Sequence, residues 1–132
     1  MTLRLSPDEF LIAILNNIQR EEKDRTFPTD REKLHNAFYI LKKKYPEQMS
    51  SFRFRDKGFF FESEELDQAL FDLEASKLLH RHNETPRYYF IQTQLQESYE
   101  YHVKGRLMDV GIGEDTLKNI ADDFAIECSC AV

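Results

Sequence analysis

Two histidines lie two positions apart, at His80 and His82, in a segment whose composition predicts an extended chain. Alternate residues of a β-strand point to the same face, so the two imidazoles would lie side by side at a spacing that can hold a metal ion. A metal site needs further ligands, such as a carboxylate, and nothing in the sequence requires one nearby. A small metal-dependent enzyme is therefore the weakest of three functional interpretations, and we expect no bound metal.

The other residues with catalytic potential occur singly. His35 and His102 each lie alone in predicted helices, where a packing role is commoner than that of a catalytic base. The chain contains no Gly-rich phosphate loop, nucleophile elbow or His-Glu-x-x-His motif. The adjacent carboxylates of Asp122-Asp123 and Glu64-Glu65 would point to different sides of a helix, which is poor geometry for sharing a proton. We expect a protein without enzymatic activity and without a cofactor.

Basic residues concentrate between Arg31 and Lys57, where eight bases and three acids give a local charge of +5. Arg81 and Arg87 flank a predicted hairpin. Such side chains could contact phosphates, because positioning contacts need only charge and reach. The alternative is that the lysines stabilise a helix end and the arginines are outward-facing strand residues. The candidate nucleic-acid-binding residues are Lys42, Lys43, Lys44, Arg53, Arg55, Arg81 and Arg87.

The helix predicted after Ser63 is acidic. Residues 63–79 contain five acids and one base, a local charge of −4, and the whole chain carries −6. Like charges in close contact repel by roughly 1 kcal/mol or more, so this helix is a poor candidate for a DNA groove. It is either a solvated face or a surface for a protein partner, with Glu64, Glu65 and Asp67 as the candidate partner-binding residues. Oppositely charged segments could also pair across a homodimer.

The two cysteines, Cys128 and Cys130, lie at the end of the sequence. A disulfide between residues two apart would be strained, and it could not staple a core. A metal or redox role is conceivable, but we expect a frayed tail over residues 128–132 with two ordinary thiols.

Capping signals and apolar spacing predict the helices. Ser6 to Glu9 forms a capping box, and Thr29 to Glu32 after Pro28 forms a second. A third helix begins at Ser63 and ends near Leu79, with leucines on one face. The apolar residues expected to be buried in these helices are Phe10, Leu11, Ile14, Leu15, Ile18, Leu34, Ala37, Phe38, Leu41, Leu66, Leu70, Leu73 and Leu78.

Extended segments separate and follow these helices. Phe52 to Arg55 alternates apolar and basic residues, and Phe59 to Phe61 is predicted as a second extended run after a turn at Asp56-Lys57-Gly58. Residues 80–82 and 88–91 predict a hairpin around Asn83 to Pro86. The last third predicts two helices separated near Gly105 or Gly111, the second of them spanning Glu114 to Ile126.

Length and composition suit a single globular domain. The 132 residues are 41% hydrophobic and 13% aromatic, which is enough apolar surface for a core. The start shows no signal-peptide pattern, and no apolar run approaches the roughly 20 residues of a membrane-spanning helix. We therefore expect a cytoplasmic protein.

The element order predicts an α+β, mostly helical, winged-helix-like domain: three helices and a β-hairpin wing over residues 1–92, then two C-terminal helices over 93–127 packed on it. Two stretches carry a family resemblance, Thr29 to Leu41 (TDREKLHNAFYIL) and Gly58 to Leu79 (GFFFESEELDQALFDLEASKLL). The first resembles the opening helix of Panacea-type antitoxins and related winged-helix regulators. The second resembles their aromatic strand, Ser-capped helix and closing leucine run.

This resemblance covers roughly residues 10–92, and it implies antitoxin-like, regulatory or protein-recognition roles without a cofactor. The predicted function is a non-enzymatic regulatory or protein-interaction module, and the expected partners are another protein and a second copy of the chain. The alternative is a DNA-binding transcription regulator that uses the wing and the basic segment.

Overall fold

The computed structural model describes residues 4–21, 26–84 and 87–129, and helices form most of these ranges. The helices are α1 (Pro7–Glu21), α2 (Arg31–Lys44), α3 (Glu64–Ala75), α4 (Gln94–Ser98), α5 (Lys104–Asp109) and α6 (Glu114–Ser129), with a π-helical turn, Tyr99–Val103, joining α4 to α5. The strands are β1 (Thr26–Pro28), β2 (Arg55–Asp56), β3 (Phe61–Glu62), β4 (Leu79–His82) and β5 (Tyr88–Ile91). The fold is therefore α+β and mostly helical.

The strands form two small antiparallel sheets. The larger has the order β1-β5-β4, with Phe27 and Arg81 on either side of Tyr89. The smaller is the β2–β3 hairpin between α2 and α3, in which Arg55 lies opposite Glu62. The predicted hairpin of residues 80–82 and 88–91 is confirmed as β4–β5, while Thr85 and Pro86 of its predicted turn lie outside the described residues.

One continuous apolar core joins the helices. The rings of Phe10, Phe38 and Phe52 pack edge to face, with centroids 5.4–6.4 Å apart. Phe124 of α6 lies 5.3 Å from Phe38 and 6.0 Å from Phe27, so α6 packs against α1, α2 and β1. Apart from Ile18 and Leu78, which are partly buried and pack against the core, every apolar residue predicted to be buried in α1, α2 and α3 is buried.

Local hydrogen bonds decide where the helices begin. The Ser6 hydroxyl accepts from the Glu9 N–H at 3.2 Å while the Glu9 carboxylate accepts from the Ser6 N–H at 2.9 Å, so the first capping box is confirmed. Ser63 is confirmed as the cap of α3. The second box was wrong by one residue: Asp30, not Thr29, caps α2, because its carboxylate reaches the Lys33 N–H.

The turn predicted at Asp56-Lys57-Gly58 is confirmed at Gly58, but the extended runs predicted on either side of it are shorter than expected. Only residues 55–56 and 61–62 pair as strands, since the chain reverses at Gly58, whose φ of 93° suits glycine, and the Lys57 N–H donates to the Phe60 carbonyl. Phe59 is left at the turn with 90% of its side chain exposed. Strand β1 was not predicted, because three residues ending in Pro28 give almost no periodic signal.

The helix ends also differ from the predictions. Helix α3 stops at Ala75 rather than near Leu79, because Lys77 adopts a positive φ and Leu79 starts β4. The separation predicted near Gly105 or Gly111 is confirmed at Gly111, where the chain bends after Asp109, while Gly105 lies within α5. Cys128 belongs to α6 and is buried, so the frayed tail predicted from residue 128 was wrong at this position.

Among the described residues, none of the helices is long and apolar enough to cross a lipid bilayer.

Candidate functional site

A buried histidine lies at the junction of α2, the β2–β3 hairpin and the start of α3. The His35 side chain is fully buried, and its Nδ1 accepts a hydrogen bond of 3.0 Å from the Ser63 N–H. Nδ1 is therefore unprotonated, and Nε2 donates to the Asp67 carboxylate at 2.8 Å. Burial lowers the pKa of His35, against the opposing effect of Asp67, so the ring is neutral at neutral pH.

The residue types Ser63, His35 and Asp67 are those of a hydrolase triad, but their geometry is different. His35 contacts the backbone N–H of Ser63 and not its hydroxyl. That hydroxyl caps α3 by accepting from the Leu66 N–H, and it donates to the Glu65 carboxylate. Both Ser63 and His35 are closed off from solvent, so no substrate can reach the hydroxyl. The arrangement orients the start of α3 and contains no activated nucleophile.

Arginines from α2 and the hairpin extend this junction. Arg31 donates to Asp67 through Nε and Nη2, at 3.2 and 2.6 Å, and also reaches Glu62 at 2.7 Å. Arg55 donates to the same Glu62 at 2.9 Å, and the two guanidinium groups lower the pKa of Glu62 to about 2, Arg31 having the larger effect. Burial opposes ionisation of Asp67, but its hydrogen bonds from Arg31 and His35 outweigh that and lower its pKa.

The structure brings together charges that the sequence separates. The predicted phosphate-binding residues Arg53 and Arg55 form ion pairs with Glu65 and Glu64 of the acidic helix, at 3.1 and 3.0 Å. Arg81 pairs with Glu74 of that helix at 3.1 Å. The +5 and −4 segments are therefore not two opposed faces, since much of their charge is neutralised within the chain.

The other predicted bases have varied surroundings. Lys44 pairs with Asp123 of α6 at 2.8 Å, and Lys42 donates to the Phe52 carbonyl. The Lys43 ammonium lies over the Tyr39 ring, 4.8 Å from its centroid. Arg87 is exposed, and within the described ranges it forms no ion pair.

The three acids predicted to bind a partner differ in accessibility. Glu64 has 70% of its side chain exposed, while Glu65 has 20% and is held by Arg53. Asp67 is 40% exposed and is engaged by Arg31 and His35. Of the three, Glu64 is the one that is most available to another molecule.

The outward stripe of α3 consists of Glu64, Gln68, Phe71 and Ala75, which repeat at helical spacing and are all exposed. Phe71 leaves 64% of its side chain in solvent. The helix contains no basic residue. The stripe thus presents a large aromatic ring, an amide and one carboxylate.

His80 and His82 lie on one face of β4, as their spacing predicts, opposite Phe90 and Tyr88 of β5. The His82 ring stacks on Tyr88 with centroids 4.5 Å apart. Among residues 4–21, 26–84 and 87–129, no three His, Cys, Asp or Glu side chains are grouped as metal ligands.

Burial raises the pKa of the Cys128 thiol to about 12, while Cys130 lies outside the described residues.

Sequence reasoning missed the central residues of the junction. His35 was interpreted as an isolated packing residue, and Arg31 only contributed to a charge count. Their partners Ser63 and Asp67 lie about thirty residues away in the sequence, at separations of 28 and 32 from His35. The available signal was a histidine within the apolar stripe of α2, beside Leu34 and Phe38, since a buried imidazole needs two hydrogen-bond partners.

Comparisons of this chain with protein-family models, with curated proteins and with solved structures found no match.

Proposed function

We propose that the chain is a winged-helix regulatory module that binds another protein through the outward stripe of α3, without catalysing a reaction. The order of elements supports the winged-helix assignment: α1, β1, α2 and α3 precede the β4–β5 hairpin, and β1 pairs with the second hairpin strand. In this arrangement α3 is the recognition helix and β4–β5 is the wing.

The exposed residues in the stripe of α3 favour a protein over DNA as the partner. A recognition helix that enters a DNA groove lies among phosphates and uses cations to hold them. Here the corresponding surface has Phe71 exposed beside Glu64 and Gln68, with no base on the helix. Exposed aromatic side chains are enriched among the residues that anchor protein interfaces. The resemblance to Panacea-type antitoxins, which implies protein recognition, agrees with this choice.

The alternative of a DNA-binding regulator has less support. Four of its seven candidate cations, Lys44, Arg53, Arg55 and Arg81, are already paired with carboxylates of the same chain. Releasing them to phosphates would leave those carboxylates unpaired next to DNA. The weak enzyme alternative depends on His80 and His82, which have no third metal ligand grouped with them among the described residues.

The proposal is tested by affinity capture from cells that express the protein, after nuclease treatment, with wild type and two variants. Phe71→Ser removes the exposed ring of α3. Met108→Ser is the matched control, because Met108 is also a large exposed side chain, 85% in solvent, but lies on α5. We expect a specific protein to be retained by wild type and Met108→Ser and lost with Phe71→Ser. Equal retention by all three, or no specific protein retained by wild type once nucleic acid is digested, would refute the proposal.

A further inference from the structure

A cleft of about 260 Å³ opens between the start of α2, one face of α3 and the β4–β5 hairpin. Leu34 and Leu70 are buried at its floor, and the exposed Phe71 ring stands at its rim. Arg31 and Arg81 line it as well. It therefore combines an apolar base with charged side chains, as small-molecule sites do.

The two arginines are held at separate ends of the cleft by α3. Arg31 is bound to Asp67 and Arg81 to Glu74, both through the Nε and Nη2 edge of the guanidinium. The two carboxylates are seven residues apart on the helix, which corresponds to about 10 Å along its axis. The middle turn between them presents Leu70 and Phe71.

Three groups in this cleft have N–H or O–H donors without a hydrogen-bond acceptor in the described part of the chain. In the described part of the chain, the Nη1 groups of Arg31 and Arg81 have no hydrogen-bond acceptor. Tyr89 lines the same cleft and is only 4% exposed, and its hydroxyl oxygen accepts from Arg81 at 2.9 Å. The hydroxyl hydrogen of Tyr89 therefore has no acceptor among the described residues. Each of these three groups can therefore donate a further hydrogen bond to an acceptor on a ligand in the cleft.

Each guanidinium is already neutralised by a carboxylate, so the cleft carries no strong net charge. We expect the cleft to select its ligand by the positions of its hydrogen-bond donors and by the stronger hydrogen bonds that a guanidinium makes with an anionic oxygen. We propose that this cleft is a ligand site for a small flat aromatic compound with a carboxylate at each end, its ring lying on Leu70 and Phe71 and its two carboxylates at Arg31 and at Arg81 with Tyr89. The site goes beyond the proposed protein-binding function and does not depend on it.

The full chain is titrated with terephthalate, benzoate and the neutral terephthalamide by isothermal calorimetry. Terephthalate should bind saturably. Benzoate should bind about tenfold more weakly, since it reaches one guanidinium only, and terephthalamide should also bind about tenfold more weakly, since it lacks the anionic oxygens. Absence of saturable terephthalate binding, or equally tight binding of terephthalamide, would overturn the proposal.

Variants locate the site. Tyr89→Phe removes one hydroxyl donor and should weaken terephthalate binding about fivefold, and Phe71→Ala should weaken it by a similar factor. Phe59→Ala is the matched control, because Phe59 is an exposed ring at the β2–β3 turn, outside the cleft. Circular dichroism checks that Tyr89→Phe folds. If Tyr89→Phe does not fold, Phe71→Ala still tests the site, because Phe71 is exposed and its replacement should not disturb the fold. Unchanged affinity in Phe71→Ala would place any binding elsewhere. Because Tyr89 is buried, its variant should leave partner capture intact, which separates this site from the interaction surface.

Discussion

At the scale of single residues, His35 connects two segments that are distant in the sequence. Its two ring nitrogens join the Ser63 N–H to the Asp67 carboxylate, and the ring is fully buried. His35→Ala leaves the Ser63 N–H without an acceptor and opens a cavity, so we expect the free energy of unfolding to fall by about 2–4 kcal/mol in urea titrations. His102→Ala, at an exposed helical position, should change it by less than about 0.5 kcal/mol. Equal effects of the two substitutions would contradict the role assigned to His35.

Asp8 is a carboxylic acid whose pKa is raised, in contrast to the lowered pKa values of Glu62 and Asp67. Burial raises its pKa to about 6, and the neighbouring Asp72 carboxylate contributes further. The folded protein thus holds this proton more tightly than the unfolded chain, whose ordinary value is 3.8, and the resulting stabilisation is lost as the pH rises through 6.

Asp8→Asn should therefore raise the free energy of unfolding at about pH 8 by something on the order of 1 kcal/mol, after allowing for solvent screening, and the gain should vanish below about pH 4. Asp109→Asn, at an exposed position, is the control. Urea titrations of each variant across this pH range measure the difference. A gain for Asp8→Asn that is the same at both pH values would contradict the raised pKa.

At the scale of elements, the end of α3 shows how one residue sets a boundary. The Leu78 N–H donates to the Leu73 carbonyl at 2.8 Å and the Lys77 N–H to the Glu74 carbonyl, which closes the helix and directs the chain into β4. Lys77 has a φ of 63°, a conformation that favours glycine. Lys77→Gly should raise the melting temperature and stabilise the protein by about 0.5–1 kcal/mol. Ser76→Gly, at a φ of −84°, should not stabilise it; a gain at position 76 and none at 77 would refute this account.

The elements also show how far the sequence can predict this fold. Caps at Ser6 and Ser63 were predictable, because their partners lie three residues away and the signal is local. Strand β1 was not, since Thr26–Pro28 is held by pairing with β5, about sixty residues later in the chain. The pairing of Arg53 with Glu65 could not be predicted for a related reason. A charge count gives the number of charges in a segment but does not show which of them form ion pairs.

At the scale of the whole molecule, the C-terminal helix completes the core. Phe124 of α6 is 1% exposed and contacts Phe38 and Phe27, which belong to α2 and β1. Phe124→Ala should lower the free energy of unfolding by about 3–5 kcal/mol, which is a large part of the stability of a typical domain. Asn119→Ala, on the exposed side of α6, should have little effect. If chemical denaturation showed Phe124→Ala to be as stable as wild type, α6 would be an appendage and not part of the core.

At this scale the distribution of charge supports the proposal of a protein partner over DNA. The chain carries a net charge of −6, and most of the arginines predicted to contact phosphates are committed to internal ion pairs. What remains exposed on α3 is an aromatic ring flanked by polar side chains. A protein surface with an apolar pocket is the complement of that stripe.

The most direct measurement is the dissociation constant of the captured partner for purified wild type, Phe71→Ser and Met108→Ser. If the stripe of α3 anchors the interface, Phe71→Ser should weaken binding at least about thirtyfold, as loss of a central aromatic side chain costs about 2 kcal/mol or more, while Met108→Ser binds like wild type. Equal affinity of all three proteins would contradict the account.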